Sequence, residues 1–255
     1  MVKEATNTEI QGILFNSKDY FEQFIPQFSI DCVIFGFHDN ELKVLLSKLP
    51  KLDYWSVQGG FIQKEEDIDI AAVRILKDLT SLDNIYLKQF QTFGKAKRSE
   101  YSYAIKQVLK EQNIDFDAIP FLQQRFISIG YYSLVDFQKV TPSVNLYFES
   151  SAWHDINKLP PLIFDHTEMI GTALETLRQT LDYQLIGFNL MPETFTMKEL
   201  QRLYETILGE PLKRNNFQEK ILNLNILERL EKQFTGGAHK APYLYCFKTV
   251  SKKSI

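Results

Sequence analysis

One stretch limits the folds open to this chain more than any other: WSVQGGFIQKEEDIDIAAVRILKDLTSL, from Trp55 to Leu82. Ahead of it, FSIDCVIFGF and ELKVLLSKL are apolar and β-branched, and Asp39-Asn40 between them suits a tight turn, a pattern that predicts a β-hairpin. Within the stretch, Gly59-Gly60 marks a loop. Ile70, Val73 and Leu76 then recur at helical spacing between about Asp67 and Leu79. A hairpin, a glycine loop and an amphipathic helix in that order call for a sheet with a helix laid on it. NIYLKQFQTFG and RFISIGYYSLV read as further strands, and a short strand is expected before Trp153. FDHTEMIGTALETLRQTL reads as an amphipathic helix with Asp165 as its N-cap. Strands with helices packed on them predict an α+β class, an α/β/α sandwich over about residues 28–181.

Around that body the chain divides further. Residues 1–27 lack clear periodicity and are expected to form an N-terminal arm or a short helix, and residues 99–121, SEYSYAIKQVLKEQNIDFDAIPF, read as a helical insertion between strands. A linker is expected over 182–192 and a second domain over 193–255. There, Thr196 and Glu199 have the spacing of a capping box, and Leu200, Leu203, Tyr204, Ile207 and Leu208 form one apolar stripe. Gly209 stands where a helix-ending glycine belongs, and a second helix is expected from about Asn215, six residues beyond the first. ILERLEKQF, a TGGAHKAP tip and YLYCFKT complete a second hairpin.

Charge follows the same division. The net charge is −3, but from Asn189 onward 11 Lys and Arg face 7 Glu and no Asp, which gives +4 and leaves −7 for the rest. A basic end on an acidic body points to an anionic partner for that end. The two cysteines, Cys32 and Cys246, lie in separate apolar runs and predict buried thiols rather than a disulfide. No run approaches the roughly 18 apolar residues that span a bilayer, and the N-terminus does not resemble a signal peptide. The expectation is a cytoplasmic protein without a membrane partner.

Counted from Gly60, Glu66 lies six residues on and Arg74 fourteen. On a loop and helix after a hairpin, these offsets resemble the Nudix box, G-x5-E-x7-R-E-U-x-E-E-x-G-U with U apolar. In Nudix hydrolases the glutamates after the arginine hold Mg²⁺ against a substrate pyrophosphate, because that ion favours hard carboxylate oxygens in octahedral geometry. Here Ile75 replaces the first of them, Leu79 replaces the last, Asp78 keeps the acidic position between, and Ser81 replaces the glycine. Aliphatic groups cannot coordinate the ion. The departure implies no catalytic residues, no resident metal, no cofactor and no efficient hydrolysis.

The wider chain resembles the Nudix-related transcriptional regulators, in which a degenerate Nudix domain senses a small molecule and a winged helix binds DNA. The segments that carry the resemblance are DCVIFGF, WSVQGGF, ISIGYYSL, LPPLIFDHTEMI, IGFNLMPETFTMKELQRLYETILGEPL and RNNFQEKI. They are similar most of all to the Bacteroidetes branch linked to sugar catabolism; another branch responds to ADP-ribose. The resemblance implies a Nudix-type sandwich with a C-terminal winged helix-turn-helix domain, acting as a ligand-responsive regulator. The insertion and the arm are longer than the family pattern.

Residue chemistry fills in the two ends. Lys213 and Arg214 would neutralise phosphates, and Asn215 would cap the second helix. Asn216 and Gln218 carry amides suited to adenine edges, Lys220 points outward, and Phe217 and Ile221 face the core. His239 and Lys240 lie at the glycine-loosened hairpin tip, and Thr196 could meet a phosphate at the first helix's start. For the effector, the polar candidates are Asp31, Gln58, Gln63, Glu66, Arg74, Arg125, Asp165 and His166. Carboxylates and amides suit a neutral sugar such as a pentose, whereas Arg74 and Arg125 would suit a phosphate. Arg74 as the ion-pair partner of Glu66, and Asp165 as a cap, are the structural alternatives. A small basic module gains specificity by two-fold symmetry, so a homodimer on a palindromic double-stranded operator is expected. The competing readings are a hydrolase with residual Mg²⁺-dependent activity on ADP-ribose or nucleotide sugars, and a protein-interaction adaptor.

Overall fold

The computed structural model describes residues 18–80, 86–101, 106–107, 109–110, 117, 119–140, 142, 148–182, 190–232 and 241–248. The chain falls into two compact units, residues 1–38 with 42–177, and residues 39–41 with 178–255.

In the first unit, the long strand β1 (Phe24–His38) organises the sheet. It runs parallel to β6 (Ile127–Asp136), from Phe28 opposite Ile127 to Phe37 opposite Asp136. Its N-terminal half pairs antiparallel with β4 (Gln58–Gln63), and β2 (Glu41–Lys48) lies on its other stretch. The described residues give a mixed seven-stranded sheet in the order β3-β2-β1-β6-β5, with β4 on β1 and β7 on β2. Here β3 is Trp55–Ser56, β5 is Leu87–Phe93 and β7 is Ser150–Asp155, so Trp153 lies within the strand expected to precede it. The first hairpin turns through Asp39 and Asn40, with φ of 47° and 63°. Asp and Asn tolerate that left-handed backbone best after glycine.

Helix α2 (Ile68–Thr80) forms where its periodicity predicts a helix, but it buries a different stripe. Ala71, Ala72, Ile75, Leu76 and Leu79 are packed into a core with Ile30, Cys32, Ile34 and Ile62. Ile70 and Val73, counted toward the apolar face from their spacing, are 60% and 53% exposed. Two overlapping apolar stripes exist on this helix, and the small alanines allow the closer approach to the sheet.

The arm and the insertion share a small core of their own. Phe21 of α1 (Lys18–Glu22), Phe24, Leu109 and Ile119 are buried together, with Phe61 and Phe121 of α3 (Pro120–Gln123) packed against them. The Phe21 and Phe121 rings stack at 4.8 Å, and Phe61 meets Phe121 edge-on at 5.0 Å.

The second unit holds β8 (Phe195–Thr196), α5 (Met197–Leu208), α6 (Arg214–Asn223), β9 (Leu227–Lys232) and β10 (Tyr243–Phe247). Helix α4 (His166–Thr180) belongs to the first unit as far as Leu177. The strands form a three-stranded sheet, β8-β10-β9, with Phe195 opposite Tyr245. The capping box is present, and Gly209 ends α5 at φ 77°. Leu200, Leu203, Tyr204 and Ile207 are buried, as are Phe217 and Ile221 of α6. The N-cap of α6 is Lys213, not Asn215, and its side chain makes no cap bond. Lys213 is extended, and helical backbone starts with Arg214, so five residues, Gly209–Lys213, separate the helices instead of six. Among the described residues, no helix is long and apolar enough to cross a membrane.

Candidate functional site

The polar residues named from the sequence do not form one site. Asp31, Asp165 and His166 come together in the first unit, around an arginine that the sequence did not single out. Arg98 lies in a 3-10 turn, Ala96–Tyr101. Its Nη2 donates to Asp31 Oδ2 at 2.9 Å, and its Nε donates to Asp165 Oδ1 at 2.8 Å. Ser128 Oγ on β6 donates to the same Asp31 oxygen. Gly59 faces Asp31 across the β1–β4 ladder, where a β-carbon would collide with the carboxylate and with the Ile30 carbonyl. Asp165 directly precedes α4, and the Met169 amide reaches its backbone carbonyl at 2.9 Å. Its carboxylate is committed to Arg98.

His166 is a buried, neutral member of this network. The Val57 amide donates to Nδ1 at 3.2 Å, so the ring proton belongs on Nε2, which faces Asp31 Oδ2 at 3.9 Å. Burial pushes its pKa down. Ser56 Oγ lies 3.4 Å from Nδ1 but donates to the Val57 carbonyl at 2.8 Å, and Ser128 is committed to Asp31. Neither hydroxyl is aligned as a nucleophile. With His166 neutral, two carboxylates face one guanidinium, and the cluster carries an excess of negative charge.

The other candidates lie elsewhere. Gln58 pairs opposite Cys32, which shares the α2 core, and so projects to the face away from Asp31. It accepts from Ser47 Oγ at 2.9 Å, and its buried amide nitrogen has no partner among the described residues. Glu66 and Arg74 form a bidentate pair at 2.7 Å on both contacts, and Arg74 also donates to the Phe61 carbonyl at 3.0 Å. Arg74 holds the Glu66 carboxyl below the usual glutamate range, and Glu66 in turn raises Arg74. The pair braces the loop between β4 and α2, and the Gln63 amide closes it onto Glu66 at 3.2 Å. Gln63 and Arg125 are exposed and do not join the Asp31 cluster. Ile75 and Leu79 are 4% and 2% exposed, and a β-carbon on Gly60 would press on Ile75 at 2.9 Å. Asp78 is exposed. Among the described residues, no three His, Cys, Asp or Glu side chains converge as a metal set.

In the second unit, Lys213, Arg214, Asn215 and Asn216 are all exposed at the start of α6, and Gln218 is half-buried. Lys220 is exposed but bridges to Asp182 at 2.7 Å. Thr196 is occupied by its cap: its amide and hydroxyl donate to Glu199 Oε2 at 2.6 and 2.8 Å, and its oxygen accepts the Glu199 amide at 3.3 Å. His239 and Lys240 lie outside the described residues.

Residues 187–247 match the family of the NrtR DNA-binding winged helix domain. The ADPR responsive transcriptional repressor NtrR of Acinetobacter baylyi is 27% identical over 229 residues, covering 87% of this chain and 82% of that protein. The crystal structure of Shewanella oneidensis NrtR complexed with a 27mer DNA superposes with a TM-score of 0.65 at 26% identity, covering 87% of this chain and 94% of that one. A MutT/nudix family protein from Enterococcus faecalis shares the fold, with a TM-score of 0.63 at 17% identity over 96% of this chain and 100% of that one. The architecture is therefore α+β, a Nudix fold followed by a winged helix.

Proposed function

We propose that this chain, an NrtR-like Nudix-related winged-helix protein by sequence and fold, is a DNA-binding transcriptional repressor whose DNA affinity is set by a pentose-bearing effector. The observation that carries the reading is the open first turn of α6. Lys213, Arg214, Asn215 and Asn216 stand exposed on a winged-helix frame, with two cations and two amides available for phosphates and base edges. The domains are taken as an arm over 1–27, the Nudix-like domain over 28–181, a linker over 182–192 and the winged helix over 193–255. The repressor acts in the cytoplasm as a two-fold dimer on a palindromic operator, its half-sites about one helical turn apart. A monomeric mass in solution at micromolar concentration, with operator bound one chain per duplex, would overturn the dimer.

The Acinetobacter relative's response to ADP-ribose supports an effector of that class. A specific feature favours a second source of the same pentose chemistry, a free sugar of the kind handled by the sugar-catabolism branch. Arg74 and Arg98 are each spent on carboxylates, and the Asp31 cluster has negative charge in excess, which suits hydroxyls better than a diphosphate. Effector binding then shifts operator affinity through a coupling of about 1–3 kcal/mol. The apolar Ile75 and Leu79 support a chain that does not hydrolyse its ligand.

The test is binding to DNA from upstream of its own and neighbouring genes, with ADP-ribose, NAD and a panel of pentoses each added in turn. One ligand should change a sequence-selective Kd several-fold, with no Mg²⁺-dependent turnover of ADP-ribose or nucleotide sugars. Turnover would favour the hydrolase. Arg214→Ala should weaken operator binding on the order of tenfold and leave ligand binding intact; loss of both, or of neither, sinks this division of labour.

A further inference from the structure

Helix α6 carries two cations, Arg214 and Lys220. Arg214 makes no ion pair among the described residues. Lys220, in the last turn, is held: its Nζ lies 2.7 Å from Asp182 Oδ2. Asp182 follows α4 by two residues and stands outside residues 187–247, the segment that matches the winged-helix family. Arg178 reaches the helix pair from the same short stretch, and its Nε donates to the Ile207 carbonyl in the last turn of α5 at 2.8 Å. Residues 178–182 belong to the second unit. They therefore hold both of its helices, α5 through a carbonyl of its last turn and α6 through charge.

The carboxylate is poorly satisfied for a purely structural part. Its Oδ1 is buried and has no partner among the described residues, which carries a cost of its own. The Lys220 side chain is 50% exposed, and an ion pair at such a surface adds little to stability. The charge of Asp182 also reaches into the helix pair, where it joins burial in pushing the Tyr204 phenol up. Tyr204 meets Phe217 of α6 edge-on, with 5.1 Å between the rings. The main consequence of the pair is thus the charge that α6 presents. Asn216 and Lys220 are four residues apart and line one flank of the helix, and both are exposed. On that flank the charge of the lysine is cancelled where it stands.

We infer that Asp182 is a positioning residue that restrains DNA affinity, holding the Lys220 ammonium off the phosphate backbone so that α6 binds with one cation fewer than its sequence carries. A phosphate gains Lys220 only by displacing the carboxylate or by approaching against its charge, and either lowers affinity. The inference rests on the DNA-binding reading above.

The experiment uses the full chain and two labelled duplexes, one from the DNA upstream of its gene and one of random sequence. Affinity is read by anisotropy between about 50 and 200 mM salt. Asp182→Asn keeps the shape and removes the charge. It should tighten both duplexes several-fold and steepen the salt slope by about one, the mark of one more phosphate neutralised. Asp182→Glu keeps the charge and should hold the wild-type slope; a gain there too overturns the inference. Adding Lys220→Gln to Asp182→Asn should cancel the gain, since net charge returns to that of the wild type. A structural role alone predicts a weaker Asp182→Asn variant with an unaltered slope. That result, or a gain that survives Lys220→Gln, also overturns it. Asp182→Ser serves the same comparison if the asparagine variant does not fold. Arg214→Gln separates the two failures: if it weakens binding while Asp182→Asn does not tighten it, the DNA-binding function stands and the restraint falls. If neither the wild type nor Asp182→Asn binds either duplex, both fall.

Discussion

Ile75→Glu is expected to destabilise the first unit by about 3–5 kcal/mol and to give no Mg²⁺-dependent turnover. Ile75 is packed against Gly60 and the Ile30, Cys32 and Ile62 core, with 4% of its surface exposed. Removing a buried isoleucine side chain costs about 2–5 kcal/mol. A carboxyl in its place adds the burial of a polar group within an apolar cluster. Domains are stable by only about 5–15 kcal/mol, so the loss is a large share of the total. Urea denaturation gives the change in midpoint, and Mg²⁺-dependent turnover of ADP-ribose gives the activity. A variant as stable as wild type that hydrolyses ADP-ribose would show that the helix can re-aim this position toward a metal, and the repressor-only reading would fail.

Arg98→Met should cost about 3–5 kcal/mol, because it leaves Asp31 and Asp165 facing each other in a buried site without their cation. Breaking one member of such a cluster is far more costly than removing the whole. Arg98→Met combined with Asp31→Asn and Asp165→Asn should therefore recover much of the loss, since the uncompensated charge is gone. Denaturation of the single and triple variants at constant m-value measures both. If Arg98→Met unfolds at the wild-type midpoint, the network does not anchor the insertion to β1 and α4. If the triple variant is no better than the single one, packing of the arginine stem rather than charge is the cause.

The two variants probe what could and could not be read in advance. Thr196, Glu199 and Gly209 declared the first helix of the second unit, because caps and turns act over three or four residues and leave a local signature. The hairpin through Asp39-Asn40 was legible for the same reason. On α2 the period was read correctly and the buried stripe was not. Ile70 and Val73 are more apolar than Ala71 and Ala72, yet close packing against the sheet selected the alanine side. Hydropathy ranks side chains one at a time, whereas packing depends on the surface they meet.

The candidate site divides along the same line. Asp31, Asp165 and His166 are polar candidates by their chemistry, but nothing local marks Arg98, which stands 67 residues from each of its two carboxylate partners. Gln58 is a candidate by the same chemistry but lies on the opposite face, since one residue along a strand reverses the side chain. By itself the sequence determined the order of elements, the α+β class and the capped first helix of the second unit, because each is written in spacings shorter than about two helical turns. The tertiary structure alone decided which stripe of α2 is buried and that Arg98 closes the Asp31–Asp165 cluster. Each of those depends on the register of strands joined across long loops, and register is fixed by the whole sheet rather than by any segment of it.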